Sequence, residues 1–285
     1  MIRSLPRSRL YRIAFMGYVL SFFCFLLIPL FAICVLAFND SDFISLPWQG
    51  FSLDWFFSSS AQRVGLFADE ELLASVYTSL SSGFFVAIFS TFVGTLAALL
   101  FELTQFRLKG VLYFLALSPL VIPGVILGIS ILLSATAAGN ALEERWGLDV
   151  ELLRPSYWLV IIGQFSFATT YVMLLVSARL KKFDPCLEEA ALSLRASQLQ
   201  AIWFITLPFL RPAIMAAFLI AFILSFANIN TTIFLIGSDP TLPIDLYSRI
   251  RFSSTPVLNA VSFMIVLMIT FFAIANVFTK AKVAT

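Results

Sequence analysis

The stretch LEEAALSLRASQLQAIWFITLPFLRP, Leu187 to Pro212, is a polar, amphipathic block set into a chain that is otherwise overwhelmingly apolar. Hydrophobic residues make up 60% of the 285 residues and charged residues 12%, against roughly 45–50% and about 25% in a soluble domain. A soluble fold cannot hide that much apolar surface, so the chain reads as a polytopic membrane protein. On either side of the block the charges avoid long segments, at about 13–38, 72–101, 111–134, 156–178, 212–236 and 257–279. Each reaches about 20 residues, enough for a helix to cross ~30 Å of hydrocarbon. A backbone in lipid must satisfy its own hydrogen bonds, and the period-2 alternation of a membrane barrel is absent. The expected class is therefore all-α, with six transmembrane helices in a single membrane domain covering 1–285.

Lysine and arginine set the orientation. Arg3, Arg7, Arg9 and Arg12 precede the first span, and Arg107 and Lys109 lie in the second connection. Arg179, Lys181, Lys182, Arg195 and Arg211 belong to the fourth, and Lys280 and Lys282 to the tail. The remaining connections hold Arg63, Arg145, Arg154, Arg249 and Arg251 together with most of the acids, among them Asp40, Asp42, Asp54, Asp69, Glu143 and Asp245. The positive-inside rule then places both termini, and the polar block, in the cytoplasm. The first span is read as a retained helix, since its apolar run far exceeds the roughly 7–15 residues of a signal peptide. Cys24, Cys34 and Cys186 imply no disulfide framework and read as small apolar fillers.

Three other features stand out. Trp48, Phe51, Trp55 and Phe56 in the first outer connection suit a short stretch lying at the membrane–water boundary. The second span carries small residues four apart, Gly83, Ala87, Thr91 and Thr95, with Gly94 and Ala98 beside them, for close helix packing within one subunit or at a subunit interface. The third span contains SPLVIPGVILGIS, where Pro119 and Pro123 each remove an amide donor and Gly124 and Gly128 allow close approach. A helix broken there marks either a translocation path or a packing kink.

Between Asp184 and Pro208 the pattern reads as two short helices. Asp184 before Pro185 is a helix start. Leu187, Ala190, Ala191 and Leu194 recur at helical spacing, with Glu188 and Glu189 on other faces, and Leu199, Ile202, Trp203 and Ile205 form a second apolar set. Leu207-Pro208 is expected to halt the helix before the next span. Such an element docks onto the membrane surface, its own bundle or a soluble partner.

Glu189-Ala190-Ala191, three residues, Arg195, nine residues and Ile205-Thr206-Leu207-Pro208 resemble the EAA loop of binding-protein-dependent ABC importer permeases. The family pattern has Gly where Arg195 stands. PLVIPGVILGISILL, TIFLIGSDPTLPIDLYSRIR, STPVLNAVS and WQGFSLDW look like the polyamine branch, in particular the second permease subunit of spermidine/putrescine transporters. The resemblance implies a type I importer-like bundle with a coupling helix within 184–208. Glu188, Glu189, Ala190, Ala191, Arg195 and Ala196 would then be the coupling residues toward a cytoplasmic ATP-binding subunit. It also implies a second homologous permease, a periplasmic solute-binding protein and lipid as partners in a bacterial inner membrane, with no nucleic acid. This chain has no G-x-x-x-x-G-K-[ST] phosphate loop and no His-based or metal-ligand constellation. It is accordingly expected to be a transport subunit with no cofactor of its own, ATP and Mg²⁺ being bound by the partner.

Two departures matter. Gly at the Arg195 position permits a left-handed turn; Arg either takes another conformation, carries about 1 kcal/mol of strain, or offers its charge to the partner. Polyamine permeases of this branch tend to carry acids at the positions of Gly124 and Ala227-Asn228, whereas none of the six spans here holds an ionisable side chain. Pro123, Gly124, Gln164, Tyr171, Phe226, Asn228, Asn230 and Thr231, with Thr232, are the candidate path residues, or else hydrogen-bond partners within the bundle. A less charged solute is the first alternative. An ion-coupled carrier is the second, disfavoured for protons because intramembrane Asp, Glu and His are missing.

Overall fold

The computed structural model describes residues 9–44, 46–60, 63–252 and 255–283, with side chains from 11 to 270 within those ranges. Arg3 and Arg7, and the side chains of Arg9, Lys280 and Lys282, which carry part of the expected orientation, lie outside the described residues. The chain opens with α1 (Arg9–Leu36), α2 (Asp54–Phe57), the short antiparallel strands β1 (Ser59–Ser60) and β2 (Arg63–Val64), then α3 (Glu70–Leu103), α4 (Lys109–Val121), α5 (Gly124–Trp146) and α6 (Tyr157–Leu180). There follow α7 (Cys186–Ser193), α8 (Gln198–Ala201), a π-helical turn (Ile202–Thr206), α9 (Leu207–Phe226), α10 (Thr232–Leu235), α11 (Leu242–Phe252) and α12 (Val257–Val283).

Among the described residues five helices are long and apolar enough to cross a membrane: Tyr11–Leu36, Glu70–Leu103, Gly124–Trp146, Tyr157–Leu180 and a continuous Gln198–Phe226. Lys109–Val121 is a shorter apolar helix, and α12 is apolar over Val257–Thr270, the part whose side chains are described. Two expectations are corrected here. The segment 111–134 is not one helix, because the chain breaks between Val121 and Gly124. Ile122, before a proline, is extended (φ −75°, ψ 126°), and Pro123 stands at the N-cap of α5. Pro119, by contrast, stays inside α4: the Leu115 carbonyl it cannot bond accepts from the Ser118 hydroxyl at 2.8 Å. The segment 212–236 is likewise not one span. Its helix ends at Phe226, and it begins earlier, because Leu207-Pro208 does not halt the helix that starts at Gln198. A π turn takes up the missing Pro208 amide, the Leu207 N–H reaching back to the Ile202 carbonyl.

The chain divides into two units, Ala74–Tyr247 and Met1–Leu73 with Ser248–Thr285. In the first, α6 packs along α9, and Val86, Ala98, Val172, Val176, Leu210, Ala217 and Ala221 are buried together. Lipid tails are as apolar as these side chains, so close packing, more than transfer out of water, holds such a core. The small residues of α3 serve that packing. A Cβ on Gly94 would lie 2.7 Å from the Val172 side chain, one on Gly83 would lie 3.2 Å from the Phe222 ring, and Ala87 and Ala98 are wholly buried.

In the second unit α1 packs against α12, and the connection after α1 folds over an aromatic cluster. Phe38 stacks on Phe51 at 5.4 Å and meets Phe263 edge-on at 4.9 Å. Of the aromatic residues in this connection, Trp55 and Phe56 are each 4% exposed, and the Trp55 indole donates to the Asn39 carbonyl at 3.2 Å. Trp48 and Phe51 do remain exposed. Arg63 gathers Asp40, Asp42 and Asp54 around one guanidinium, and its hydrogen bonds to Asp40 and Asp42 hold it firmly charged. Asp69 caps α3 through the Leu72 amide at 2.9 Å and takes the fork of Arg249, one arm at 3.0 Å. Burial pushes the Asp69 carboxyl up, but Arg249 and the Leu72 amide outweigh it and hold the group below its ordinary range.

Candidate functional site

The polar block folds as a helical hairpin. The Asp184 carboxylate accepts from the Cys186 amide at 3.0 Å and so opens α7, as its position before Pro185 predicts. A hydrogen bond from the thiol to the Asp184 carboxylate, with the Asp184 charge, pushes the exposed Cys186 thiol up. After eight residues α7 ends on Leu194, and the closing hydrogen bonds form a Schellman motif. The Arg195 N–H donates to the Leu192 carbonyl and the Ala196 N–H to the Ala191 carbonyl, both at 3.0 Å. That geometry requires a left-handed residue, and Arg195 supplies it at φ 67°. Of the open alternatives for this position, the strained conformation is therefore the one adopted. Ser197 then starts α8 with a reciprocal capping box, its hydroxyl taking the Gln200 amide while the Gln200 side chain takes the Ser197 amide at 2.7 Å. The turn satisfies its own backbone groups with no glycine.

Glu189, Ala190 and Arg195 are exposed, and Ala191 and Ala196 half-buried, so the hairpin presents an outer face to solvent. Leu194 lies on it at 83% exposure, whereas Leu199 lines an apolar groove with Leu96, Leu100 and Trp203. Glu188 is different. It is half-buried, and its carboxylate accepts a hydrogen bond from the Thr206 hydroxyl at the end of the π turn. Sequence reasoning grouped Glu188 with its neighbour on the docking face, and it passed over Thr206, which fills the variable position of I-x-L-P.

A second constellation forms where α4 and α9 stop. The turn after α9 is organised by Asn228, whose Oδ1 accepts from the Thr231 amide at 3.1 Å, the Thr232 amide at 3.4 Å and the Thr232 hydroxyl at 3.1 Å. This side chain, competing with the helix for backbone amides, ends a segment whose composition stays apolar. Gln164 of α6, wholly buried, donates to the Thr232 hydroxyl at 2.6 Å and accepts from the Ser225 hydroxyl. Ser225, Gln164, Thr232 and Asn228 thus form one chain of hydrogen bonds in an apolar interior. The same turn rests on the start of α5. A Cβ on Gly124 would lie 3.1 Å from Asn230 Cβ, and one on Gly128 would lie 2.7 Å from the Thr231 carbonyl oxygen. Here a glycine is demanded by close approach.

The fold therefore brings Pro123, Gly124, Gln164, Asn228, Asn230 and Thr231 together from three separated segments. Asn230 and Pro123 are exposed, Asn228 and Gly124 half-buried, and Thr231 and Gln164 buried. Phe226 stacks on Phe222 at 6.0 Å, one turn before the break. Tyr171 lies two turns beyond Gln164 on α6, exposed. Ser225 was missed; its signal was a lone hydroxyl three residues before an Asn at a helix end.

Residues 90–283 match the family of the binding-protein-dependent transport system inner membrane component. The chain is 33% identical over 245 residues to the putrescine transport system permease protein PotI of Escherichia coli (strain K12), covering 85% of this chain and 82% of that one. It is 28% identical over 265 residues to the spermidine/putrescine transport system permease protein PotC of the same strain, covering 91% of each. Among solved structures, a bacterial ABC transporter involved in the import of the acidic polysaccharide alginate contains a chain with the same fold. Its TM-score is 0.69 at 17% identity, over 97% of this chain and 99% of that one.

Proposed function

Because this chain belongs to the family of binding-protein-dependent transport system inner membrane components, we propose that it forms half of the pathway of an ATP-driven polyamine importer. A second, homologous permease supplies the other half. The observation that carries the reading is the α7–α8 hairpin. It is a self-capped element of exposed Glu189, Ala190 and Leu194, joined without interruption to a membrane helix. A rigid element so joined can pass a displacement into the bundle. ATP with its Mg²⁺ is bound and hydrolysed by a cytoplasmic subunit docked on that hairpin, and a periplasmic binding protein delivers the solute. Both termini then lie in the cytoplasm.

Polyamines are assigned by the likeness to PotI and PotC. In place of intramembrane carboxylates, the negative ends of α4 and α9 stop inside the apolar zone, where free carbonyls favour cations. A solute of lower charge is the second reading. The observation favouring it is that Asn228 spends its carbonyl oxygen on three donors of its own turn.

The test is reconstitution of this chain with the second permease and the ATP-binding subunits in vesicles, with binding protein and labelled putrescine on the opposite side. Uptake that needs ATP and persists when ionophores collapse all ion gradients is expected. Uptake abolished by ionophores with ATP present would return the ion-coupled carrier. ATP-driven uptake of a neutral solute in place of putrescine would establish the second reading.

A further inference from the structure

Glu188 and Glu189 are neighbours in sequence, but α7 sends them in different directions. Glu189 is exposed, whereas Glu188 turns inward to the fully buried Thr206. Neither Glu188 nor Thr206 is a fixed position of the EAA pattern. Their bond joins α7 to the last residue of the π turn, where the long helix is least constrained. Leu207 bonds five residues back, and Pro208 has no amide to give. One turn further on, α9 is held. The Arg179 guanidinium lies over the Phe209 ring at 4.2 Å, and Phe183 meets the same ring at 5.1 Å.

We propose that the Glu188–Thr206 hydrogen bond is the joint through which movement of α7 enters the membrane helix, with Phe209 as its fulcrum. This rests on the importer reading above. The argument is mechanical. A pull applied at Thr206, with the chain pinned three residues later, can only be absorbed by tilting α9 or by rewinding the π turn. A bond to a carboxylate is about twice as strong as a neutral one, so the joint resists load better than the apolar contacts around it. Glu188 and Thr206 are positioning residues; neither touches solute or nucleotide.

The test uses the reconstituted complex with putrescine and its binding protein. Thr206→Val keeps the shape and removes the donor; Glu188→Ala removes the acceptor. Thr206→Ser and Glu188→Gln each preserve the bond. In Thr206→Val and Glu188→Ala, the ATP-binding subunit should copurify as in the wild type and hydrolyse ATP within about twofold of it. Putrescine moved per ATP should fall about tenfold, the scale of one lost charged hydrogen bond. The Ser variant should stay near wild type, the Gln variant, whose bond is neutral, should lie between wild type and Glu188→Ala, and the double variant should be no worse than either single. Unchanged putrescine per ATP in Thr206→Val overturns the proposal. So does loss of the ATP-binding subunit in step with uptake, which would make the bond a docking feature. A wild-type complex that hydrolyses ATP without moving putrescine overturns the importer reading instead.

Discussion

Arg195 sits where the chain must turn left-handed, and replacing it separates what its backbone costs from what its charge does. At φ 67° an L-residue brings Cβ against the following carbonyl, at about 1–2 kcal/mol. Glycine removes that clash but loses more freedom on folding, which takes back about 0.5–1 kcal/mol. Arg195→Gly should therefore stabilise the hairpin by about 0.5–1 kcal/mol, a two- to fivefold shift in local opening. A global melt would miss this, because an eight-residue helix opens without the bundle. Hydrogen–deuterium exchange will report it: the Arg195 and Ala196 amides, bonded to Leu192 and Ala191, should exchange about two- to fivefold more slowly. Arg195→Asn, which tolerates the left-handed region without a charge, should follow glycine in part. Arg195→Ala removes the charge and keeps the strain, so its exchange should match the wild type. If Ala slows exchange as much as Gly, the charge was the destabilising element and the strain argument is wrong. If Gly speeds exchange, the Arg side chain holds the turn, and the argument fails outright.

Gln164→Leu keeps the volume but strands the Ser225 hydroxyl, while the Thr232 hydroxyl keeps Asn228, so it should cost about 1–2 kcal/mol and lower the detergent melting temperature by a few degrees. An unchanged melt would mean the network bears no weight. The Asp69–Arg249 pair predicts acid sensitivity of the connection between α1 and α3. The folded carboxyl lies below its unfolded value of about 3.8, so its contribution is complete above that value and is lost as pH falls through the lower folded one. Melting followed from pH 7 to 3 should drop more steeply in the wild type than in Asp69→Asn, and parallel curves would dismiss the pair. Asn228→Asp retains the three accepted hydrogen bonds and adds a negative charge at the helix break. Putrescine uptake at low concentration should rise severalfold, whereas uptake equal to wild type would take this turn out of the path.

The apolar segments were readable because charge is excluded from lipid, and α1, α3 and α6 end within a few residues of where charges begin. The breaks were less readable, for a local reason. Pro119 and Pro123 have the same effect on paper, yet only Pro123 breaks the helix, because Ser118 satisfies the carbonyl that Pro119 orphans. Pro208 was expected to stop a helix that instead widens by one residue and continues. The fifth span was drawn ten residues too long, since Ile229, Ile233 and Phe234 are as apolar as what precedes them. Only the backbone bonds taken by Asn228 reveal the end. The hairpin was legible from spacing, but the inward turn of Glu188 depends on a hydroxyl eighteen residues away.

The two breaks bring backbone partial charges of both signs into one region. At the candidate site the C-terminal ends of α4 and α9 contribute negative partial charge, and the N-terminal end of α5 contributes positive. They lie together, since the turn after α9 rests on Gly124 and Gly128. Backbone alone therefore offers both signs. The choice of sign falls to side chains placed on the turn, which here are the neutral Asn228, Asn230 and Thr231. On the proposed importer reading, such a turn admits a polycation without selecting it, and one carboxylate introduced at Asn228 should register strongly.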